Sequence, residues 1–442
     1  MKKISIIGLG FVGLTTAVGF AYKGFKVFGF DIDEEKTEFI RNGKIPFFEN
    51  GLEKIMKQVI STEKLEIVDS LEKAVESSEI CIICVGTPNI NNIPSIESIK
   101  NIAKDIGKVL KNSNRFFTIC VKSTVPPSTT DQIIRELLES ESKKECYKDF
   151  GLVYNPEFLR EGFAIEDFLN PDRIVIGAND QKSFTIVKEI YEVFNAPIVR
   201  TNLRTAEFIK YSSNYLLSAL ISFSNELSRI SDAIGDIDIK KVFEVLHMDR
   251  RIEINDITAN IASYIYAGCG FGGSCLPKDT VALSYTSKEY GFSPALLDSV
   301  IEVNITQKAY VVEKLSKILS GLENKHIAVL GLAFKPDTDD IRESPAISII
   351  NLLLEKGAEI FAYDPKANEN FSKVILGINI SKDEYACVTD ADAVLLLTAW
   401  NQFSKLDFTR IRKLMRGNVV FDGRLFLDKE KIEGAGLKYF TI

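Results

Sequence analysis

Lys3-Ile4-Ser5-Ile6-Ile7-Gly8-Leu9-Gly10-Phe11-Val12-Gly13 opens the chain, and with its continuation to Asp31 it decides the fold. The apolar run predicts a strand, Gly8, Gly10 and Gly13 a tight turn, residues 14–23 a helix, and Val27-Phe28-Gly29-Phe30 a second strand that ends at Asp31. In that context the glycines let a pyrophosphate approach a helix N-terminus, and the acid accepts ribose hydroxyls. The stretch therefore reads as a dinucleotide site. The Asp31 carboxylate repels a 2′-phosphate, so the expected cofactor is NAD rather than NADP. Lys36, five residues on, can reach the ribose from the same loop and is equally well explained as a solvated surface lysine.

The α/β rhythm continues, with strands expected at 65–68, 79–85 and 116–121 and helical patterns at 95–110 and 129–138. Ligands bind at the carboxyl ends of such strands. The strand exits Gly86-Thr87-Pro88 and Ser123-Thr124-Val125-Pro126-Pro127 thus offer Thr87 and Thr124 as ligand contacts or, equally, as turn caps. In Tyr154-Asn155-Pro156-Glu157-Phe158-Leu159-Arg160-Glu161-Gly162, two carboxylates four apart either face one site or form a solvated pair. Residues 205–231 then read as one long helix without Gly or Pro, suited to joining domains and to offering a dimer surface. Lys210 and Asn214 share one face of it. Directed into a site, they can hold a developing oxyanion; otherwise they are surface residues.

A second strand–turn–helix–strand pattern starts at His326 and ends at Asp364. It lacks G-x-G-x-x-G and makes a poor dinucleotide site. Lys335, Arg342 and Arg424 suit a nucleotide-sugar phosphate or an interdomain contact instead. The fold class expected is α/β: two Rossmann-like doubly wound domains joined by a long central helix and a helical dimerisation segment, with boundaries at 1–204, 205–319 and 320–442.

Between the two patterns lies Gly268-Cys269-Gly270-Phe271-Gly272-Gly273-Ser274-Cys275-Leu276-Pro277-Lys278-Asp279. Four glycines before a cysteine imply a backbone that folds tightly and approaches something closely. Pro277 suits the first turn of a helix, which places Cys275 near the positive end of a helix dipole and beside Lys278. Both favour thiolate.

At 442 residues the chain exceeds one ordinary core and predicts two or three domains. A formal net charge of −7 argues against general nucleic-acid binding, while local Lys and Arg clusters still allow an anionic small ligand. The N-terminal apolar run is too short for a signal peptide and no run reaches membrane-spanning length, so a cytoplasmic protein is expected. Seven cysteines, an odd number, are not a disulfide framework, and Cys81 and Cys84 fall within a buried strand pattern. With two histidines, a His-based triad or multi-histidine metal site is nearly excluded and no metal is expected; acid–base work falls to carboxylates, lysine or cysteine.

Taken in order, GLGFVGL, VGTP, KSTVPPSTT, NPEFLREGFAIEDFLNPDRIVIG, AEFIKYSSN, GFGGSCLPKD, GLAFKPDTDDIRESPA and FDGR make the whole chain resemble the UDP-glucose/GDP-mannose dehydrogenase family. The resemblance implies two successive NAD-dependent oxidations of a nucleotide sugar's C6 alcohol to a carboxylate, without release of the aldehyde. UDP-glucose is the expected sugar, with UDP-N-acetylhexosamine or GDP-mannose as alternatives and a non-catalytic binding protein as a remote one. It further implies Cys275 as nucleophile, Lys210 and Asn214 as oxyanion donors, Glu161 and Thr124 activating or positioning water, and Asp279 orienting water and Lys210. Cofactor contacts are implied at Gly8, Gly10, Val12, Gly13, Asp31, Lys36, Thr87, Thr124, Lys278 and Arg342. Substrate contacts are implied at Glu157, Phe158, Leu159, Arg160, Glu161, Lys210, Asn214, Tyr266, Gly270, Gly273, Lys335 and Arg424, in a homodimer formed through the central helix. The sequence departs from the family at Arg251-Ile252-Glu253, where Arg-Ile-Gly is usual, and in a longer approach to Cys275.

Overall fold

The computed structural model describes residues 2–254 and 257–442. They form two compact units, one of residues 2–213 with 285–290, the other of residues 214–284 with 291–442.

The first unit is built on an eight-stranded sheet: β1 (Lys3–Ile7), β2 (Lys26–Phe30), β3 (Leu65–Ile67), β4 (Ile80–Ile83), β5 (Phe117–Val121), β6 (Phe150–Tyr154), β7 (Ile174–Ala178) and β8 (Ile198–Thr201). Their order is β8-β7-β6-β5-β4-β1-β2-β3, so the chain reverses its direction of travel across the sheet between β1 and β4. Every residue of β4, β5, β6 and β7 is buried, as expected of strands covered on both faces by helices. All pairs are parallel except β6 with β7. Helix α1 (Phe11–Tyr22) follows β1 directly, and α2 (Gln181–Tyr191) packs beside β7. The helix expected at 129–138 begins as a π-helical turn at Thr129–Ile134 and becomes α-helical from Arg135.

Helix α3 (Leu203–Ile234) is the longest element and carries Lys210 and Asn214 one turn apart. Leu216, Phe223 and Ile230 recur every seven residues along it and are each about half exposed.

In the second unit, α4 (Leu276–Glu289) starts at the glycine-rich turn, and α5 (Ala295–Leu319) leads to a six-stranded, wholly parallel sheet. Its strands are β9 (His326–Leu330), β10 (Glu359–Tyr363), β11 (Asn379–Ile380), β12 (Ala393–Leu396), β13 (Val419–Asp422) and β14 (Lys438–Thr441), in the order β11-β10-β9-β12-β13-β14. Helix α6 (Pro345–Glu355) connects β9 to β10. This order repeats that of β3-β2-β1-β4-β5-β6, and both fit the doubly wound pattern.

Candidate active site

At the end of β1 three glycines meet three different constraints. A Cβ on Gly8 would stand 3.0 Å from the backbone of Cys84 and Val85, and one on Gly13 only 1.8 Å from the Gly8 carbonyl oxygen. A Cβ on Gly10 would meet nothing within 4 Å. Two glycines therefore serve close packing, and the middle one keeps clear a space beside the first turn of α1. Gly10 is the N-cap and brings no side-chain cap, so the first N–H groups of α1 are available to an anion. Asp31 accepts from Leu9 N–H (2.7 Å) and Asp33 N–H (3.0 Å) and pairs with Lys36 Nζ at 2.9 Å. Burial pushes its carboxyl up, but the Leu9 amide, Lys36 and the Asp33 amide outweigh that and hold it below the usual carboxylate value. These features fit a dinucleotide: room at Gly10 for a pyrophosphate, and a charged acceptor at Asp31 for ribose hydroxyls. Thr87 Oγ1 donates to the Thr124 carbonyl at 2.7 Å, joining two strand exits.

The segment after β6 forms a second group in the same unit. Glu157 and Lys210 are an ion pair at 2.8 Å, both nearly buried. The other Glu157 oxygen accepts the Leu159 N–H at 2.7 Å. Burial raises the Glu157 pKa, yet Lys210, the Leu159 amide and Lys122 together hold it below the ordinary glutamate value. Glu161 is buried as well. The turn beyond it hangs on Glu49, whose two oxygens accept the Gly162 and Ala164 N–H groups at 2.7 and 2.8 Å. Arg160, by contrast, is exposed and paired with Asp167, while Phe158 lies under the Arg173 guanidinium, 4.1 Å from ring centre.

In the second unit the glycine-rich turn is gripped from several elements. Gly268 N–H donates to Asn225 on α3, Phe271 N–H to Asn304 on α5, and Gly273 N–H to the Arg342 carbonyl, at 2.8, 2.8 and 2.9 Å. Cβ atoms on Gly272 and Gly273 would meet the Glu343 carbonyl oxygen at 2.2 Å and the Phe334 ring at 2.7 Å. Only glycine allows the turn to lie this close to residues 334–343. Arg424 sets its guanidinium on the Leu397 and Gly270 carbonyls. Cys275 immediately precedes α4 and accepts the Asp279 N–H on its carbonyl at 2.9 Å. It is the only one of the seven cysteines that is not buried, and its sulfur is 3.5 Å from Ser274 Oγ. The Cys81, Cys84 and Cys120 thiols are instead pushed up to about 12 by burial. Asp279 is buried, accepting Asn214 Nδ2 on one oxygen and pairing with Lys278 through the other, both at 2.5 Å.

The family model "UDP-glucose/GDP-mannose dehydrogenase family, NAD binding domain" matches residues 2–195, the central-domain model 204–306 and the UDP-binding-domain model 328–429. The UDP-glucose 6-dehydrogenase TuaD of Bacillus subtilis is 38% identical, over 100% of this chain and 93% of its own.

The chain belongs to the UDP-glucose/GDP-mannose dehydrogenase family.

Its fold agrees. A UDP-glucose dehydrogenase structure from Pyrobaculum islandicum superposes with a TM-score of 0.91 at 37% identity, covering 100% of this chain and 97% of the other. A UDP-D-ManNAc dehydrogenase from Pyrococcus horikoshii gives 0.87 at 26% identity, covering 100% and 99%. As a family member the chain is an NAD-dependent nucleotide-sugar dehydrogenase, with NAD as cofactor and a UDP-binding domain.

Among the expected family contacts, the structure groups Asp31 with Lys36, Thr87 with Thr124, Glu157 with Lys210, and Asn214 with Lys278 and Asp279. Gly270 and Gly273 lie in the gripped turn, Tyr266 packs edge-on against His247, and Val12 takes the Thr16 hydroxyl on its carbonyl. Lys335 stands near the Phe334 ring, and Arg342 chelates Asp340 on the loop before α6. Arg251 is exposed and bonded to Asp249. Sequence reading missed Glu49, Lys122, Asn155, Asn225 and Asn304. Lys122 and Asn155 sit in motifs read for other residues, Glu49, Asn225 and Asn304 lie outside the quoted motifs, and only the fold brings these side chains to the site segments. No helix among the described residues is long and apolar enough to cross a membrane.

Proposed function

We propose that this enzyme oxidises the C6 alcohol of UDP-glucose to the carboxylate of UDP-glucuronate, consuming two NAD and one water per sugar. The observation that carries the reading is Cys275: a partly exposed thiol at the start of α4, on a turn fixed by Asn225, Asn304 and Arg342. UDP-glucose is favoured because the relatives named for it are more similar than the UDP-D-ManNAc dehydrogenase. NAD, held at Gly8, Gly10, Gly13, Asp31 and Lys36, supplies a hydride acceptor for each oxidation. The Cys275 sulfur adds to the C6 aldehyde, forming an S–C bond and an oxyanion, and so retains the sugar between the two steps. Lys210 and Asn214 donate to that oxyanion; Asp279 holds Asn214 in place, and Glu157 holds Lys210. The second oxidation leaves a thioester on Cys275. Water, positioned by Glu161 and Thr124, adds to its carbon; the S–C bond breaks, the thiolate is restored and the carboxylate departs.

The division at 204 and 319 is supported by the spans of the three matched family models. The apolar face of α3, with Leu216, Phe223 and Ile230 exposed at heptad spacing, supports a homodimer through that helix. Free cysteines without a disulfide support a reducing cytoplasm. The test is NADH production by purified protein with UDP-glucose, UDP-N-acetylhexosamines and GDP-mannose. The highest kcat/KM is expected for UDP-glucose. Turnover confined to another sugar moves the assignment to that sugar, and turnover of none rejects catalysis.

A further inference from the structure

Lys122, the residue after β5, is 4% exposed and makes no ion pair among the described residues. Its ammonium donates to two neutral oxygens, Asn155 Oδ1 at 2.9 Å and Tyr191 OH at 3.4 Å. Burying an ammonium without a carboxylate on it is unfavourable by several kcal/mol, so a purely structural element would be better served by an apolar side chain of the same length. Burial indeed pushes its pKa below the ordinary lysine value, against the pull of Cys84, Cys120 and Glu157, and Lys210 pushes the same way as burial. The residue it holds, Asn155, has no freedom left: its amide nitrogen donates to the Val175 carbonyl at 2.8 Å, its backbone N–H to the Val121 carbonyl at 2.8 Å, and its oxygen also accepts Tyr191 OH. Two residues later comes Glu157, paired with Lys210. The ammonium thus anchors the Asn155-Pro156-Glu157 turn from within the sheet, inside electrostatic reach of both members of the pair.

We propose that Lys122 is a positioning residue for the oxidation, a buried ammonium that fixes the Asn155–Glu157 turn and so holds Glu157 against Lys210. The inference rests on the proposed role of Lys210. The groups facing Lys122 are Cys84 and Cys120 from the sheet, Tyr191 from α2, Glu157 and Lys210; with both thiols and the phenol neutral, Glu157 is the one whose protonation, on the acid side, responds to the ammonium.

The test is Lys122→Met, with Lys122→Gln as the variant that keeps a hydrogen bond to Asn155 without the charge. Both are expected to fold, with Lys122→Met melting no lower than wild type. The expected kcat falls about 10- to 100-fold, short of the ~10²–10³ lost with a direct oxyanion donor, while KM for NAD stays within about twofold. The acid limb of the kcat profile moves to higher pH by at least ~0.5 unit, because a cation that favours ionised Glu157 is gone. In a Glu157→Gln background the same substitution moves no limb. Wild-type kcat in either variant, or an unmoved limb, overturns the proposal, and so does failure of both variants to fold. A wild type that turns over no nucleotide sugar defeats the functional reading instead; a destabilised Lys122→Met would then still reject a charge kept at the expense of stability.

Discussion

Gly8 and Gly331 stand at the same place in two sheets of the same strand order, and the chain does different things around them. Each follows the first strand of its sheet with a left-handed backbone, φ +89° and +95°, and donates its N–H to the last residue of the neighbouring strand, Phe30 or Tyr363, at 2.8 Å. The next N–H, of Leu9 or Leu332, reaches an aspartate at 2.7 Å, Asp31 or Asp364. There the likeness ends. After Gly10, α1 begins at once; after Ala333, residues 334–344 intervene before α6. Asp364 is saturated by the Leu332, Ala333, Lys366 and Ala367 N–H groups and by Trp400 Nε1, and is 1% exposed. A Cβ on Gly331 would meet Thr398 at 2.4 Å. One turn is open to a ligand; the other has been filled from within, and its basic residues, Lys335 and Arg342, have moved onto the inserted loop. A shared topology therefore does not carry a shared site: the acid pairs with a lysine beside an open turn in one unit and is filled by backbone and indole donors in the other.

The comparison breaks most visibly at the two aspartates. Asp364→Ala orphans five donors, four of them buried, and is expected to destabilise by about 3–5 kcal/mol, on the scale of ~1–3 for each unsatisfied group with incomplete additivity. Asp31→Ala is expected to destabilise by less than ~2 kcal/mol, yet to weaken NAD binding by ~10- to 100-fold, as for loss of a hydrogen bond to a charged group. Urea unfolding and calorimetric titration with NAD read the two effects; equal stability losses would mean that the second acid is not structurally distinct.

A smaller effect sharpens the first unit alone. Glu207, fully buried on α3, accepts the Ser128 and Thr130 N–H groups at 2.7 and 2.8 Å. Burial raises its pKa to about 7 against those bonds. A folded-state pKa above the unfolded one means that the folded chain binds the proton more tightly. The contribution is therefore full below the unfolded value and is lost as pH rises through about 7. It amounts to no more than ~3 kcal/mol. Urea midpoints between pH 4.5 and 7.5 should fall along this window (roughly the span between an ordinary glutamate and the raised one), and Glu207→Gln should flatten the slope; an unchanged slope removes Glu207 as its source.

The smallest expected effects separate the glycines. Gly13→Ala drives a Cβ into the Gly8 carbonyl and should destabilise by about 1–3 kcal/mol. Gly10→Ala has room, should leave the urea midpoint nearly unchanged, and should weaken NAD binding at least ~10-fold, or about 1.4 kcal/mol. If Gly10→Ala binds NAD normally, the open space beside α1 is not where the cofactor lies.

The first unit was largely legible in the sequence because its signals are local: glycine spacing, an apolar run on either side, an acid at the strand end. Even so, the helix expected at 14–23 begins at Phe11, since Gly10 already serves as its N-cap. The strand Ile198–Thr201 escaped notice because it is an edge strand whose half-exposed residues carry no clear apolar pattern. The reversal of β7 against β6 escaped for a different reason, as strand direction is written in tertiary pairing. Lys210 and Asn214 could be placed on one helix from spacing alone, but their partners, Glu157 and Asp279, come from distant segments. Lys122 reads in sequence as the first letter of a turn motif; its burial is a property of the folded sheet.

Cys275 is proposed to retain the sugar between two oxidations, and the yield of NADH per UDP-glucose consumed tests this most directly. Wild type should give two NADH per sugar with no free aldehyde trapped by a carbonyl reagent, and Cys275→Ser should lose complete oxidation by at least ~10³-fold, the scale on which loss of a nucleophile acts, while still binding NAD. One NADH per sugar with released aldehyde, or two at an undiminished rate from Cys275→Ser, would contradict it.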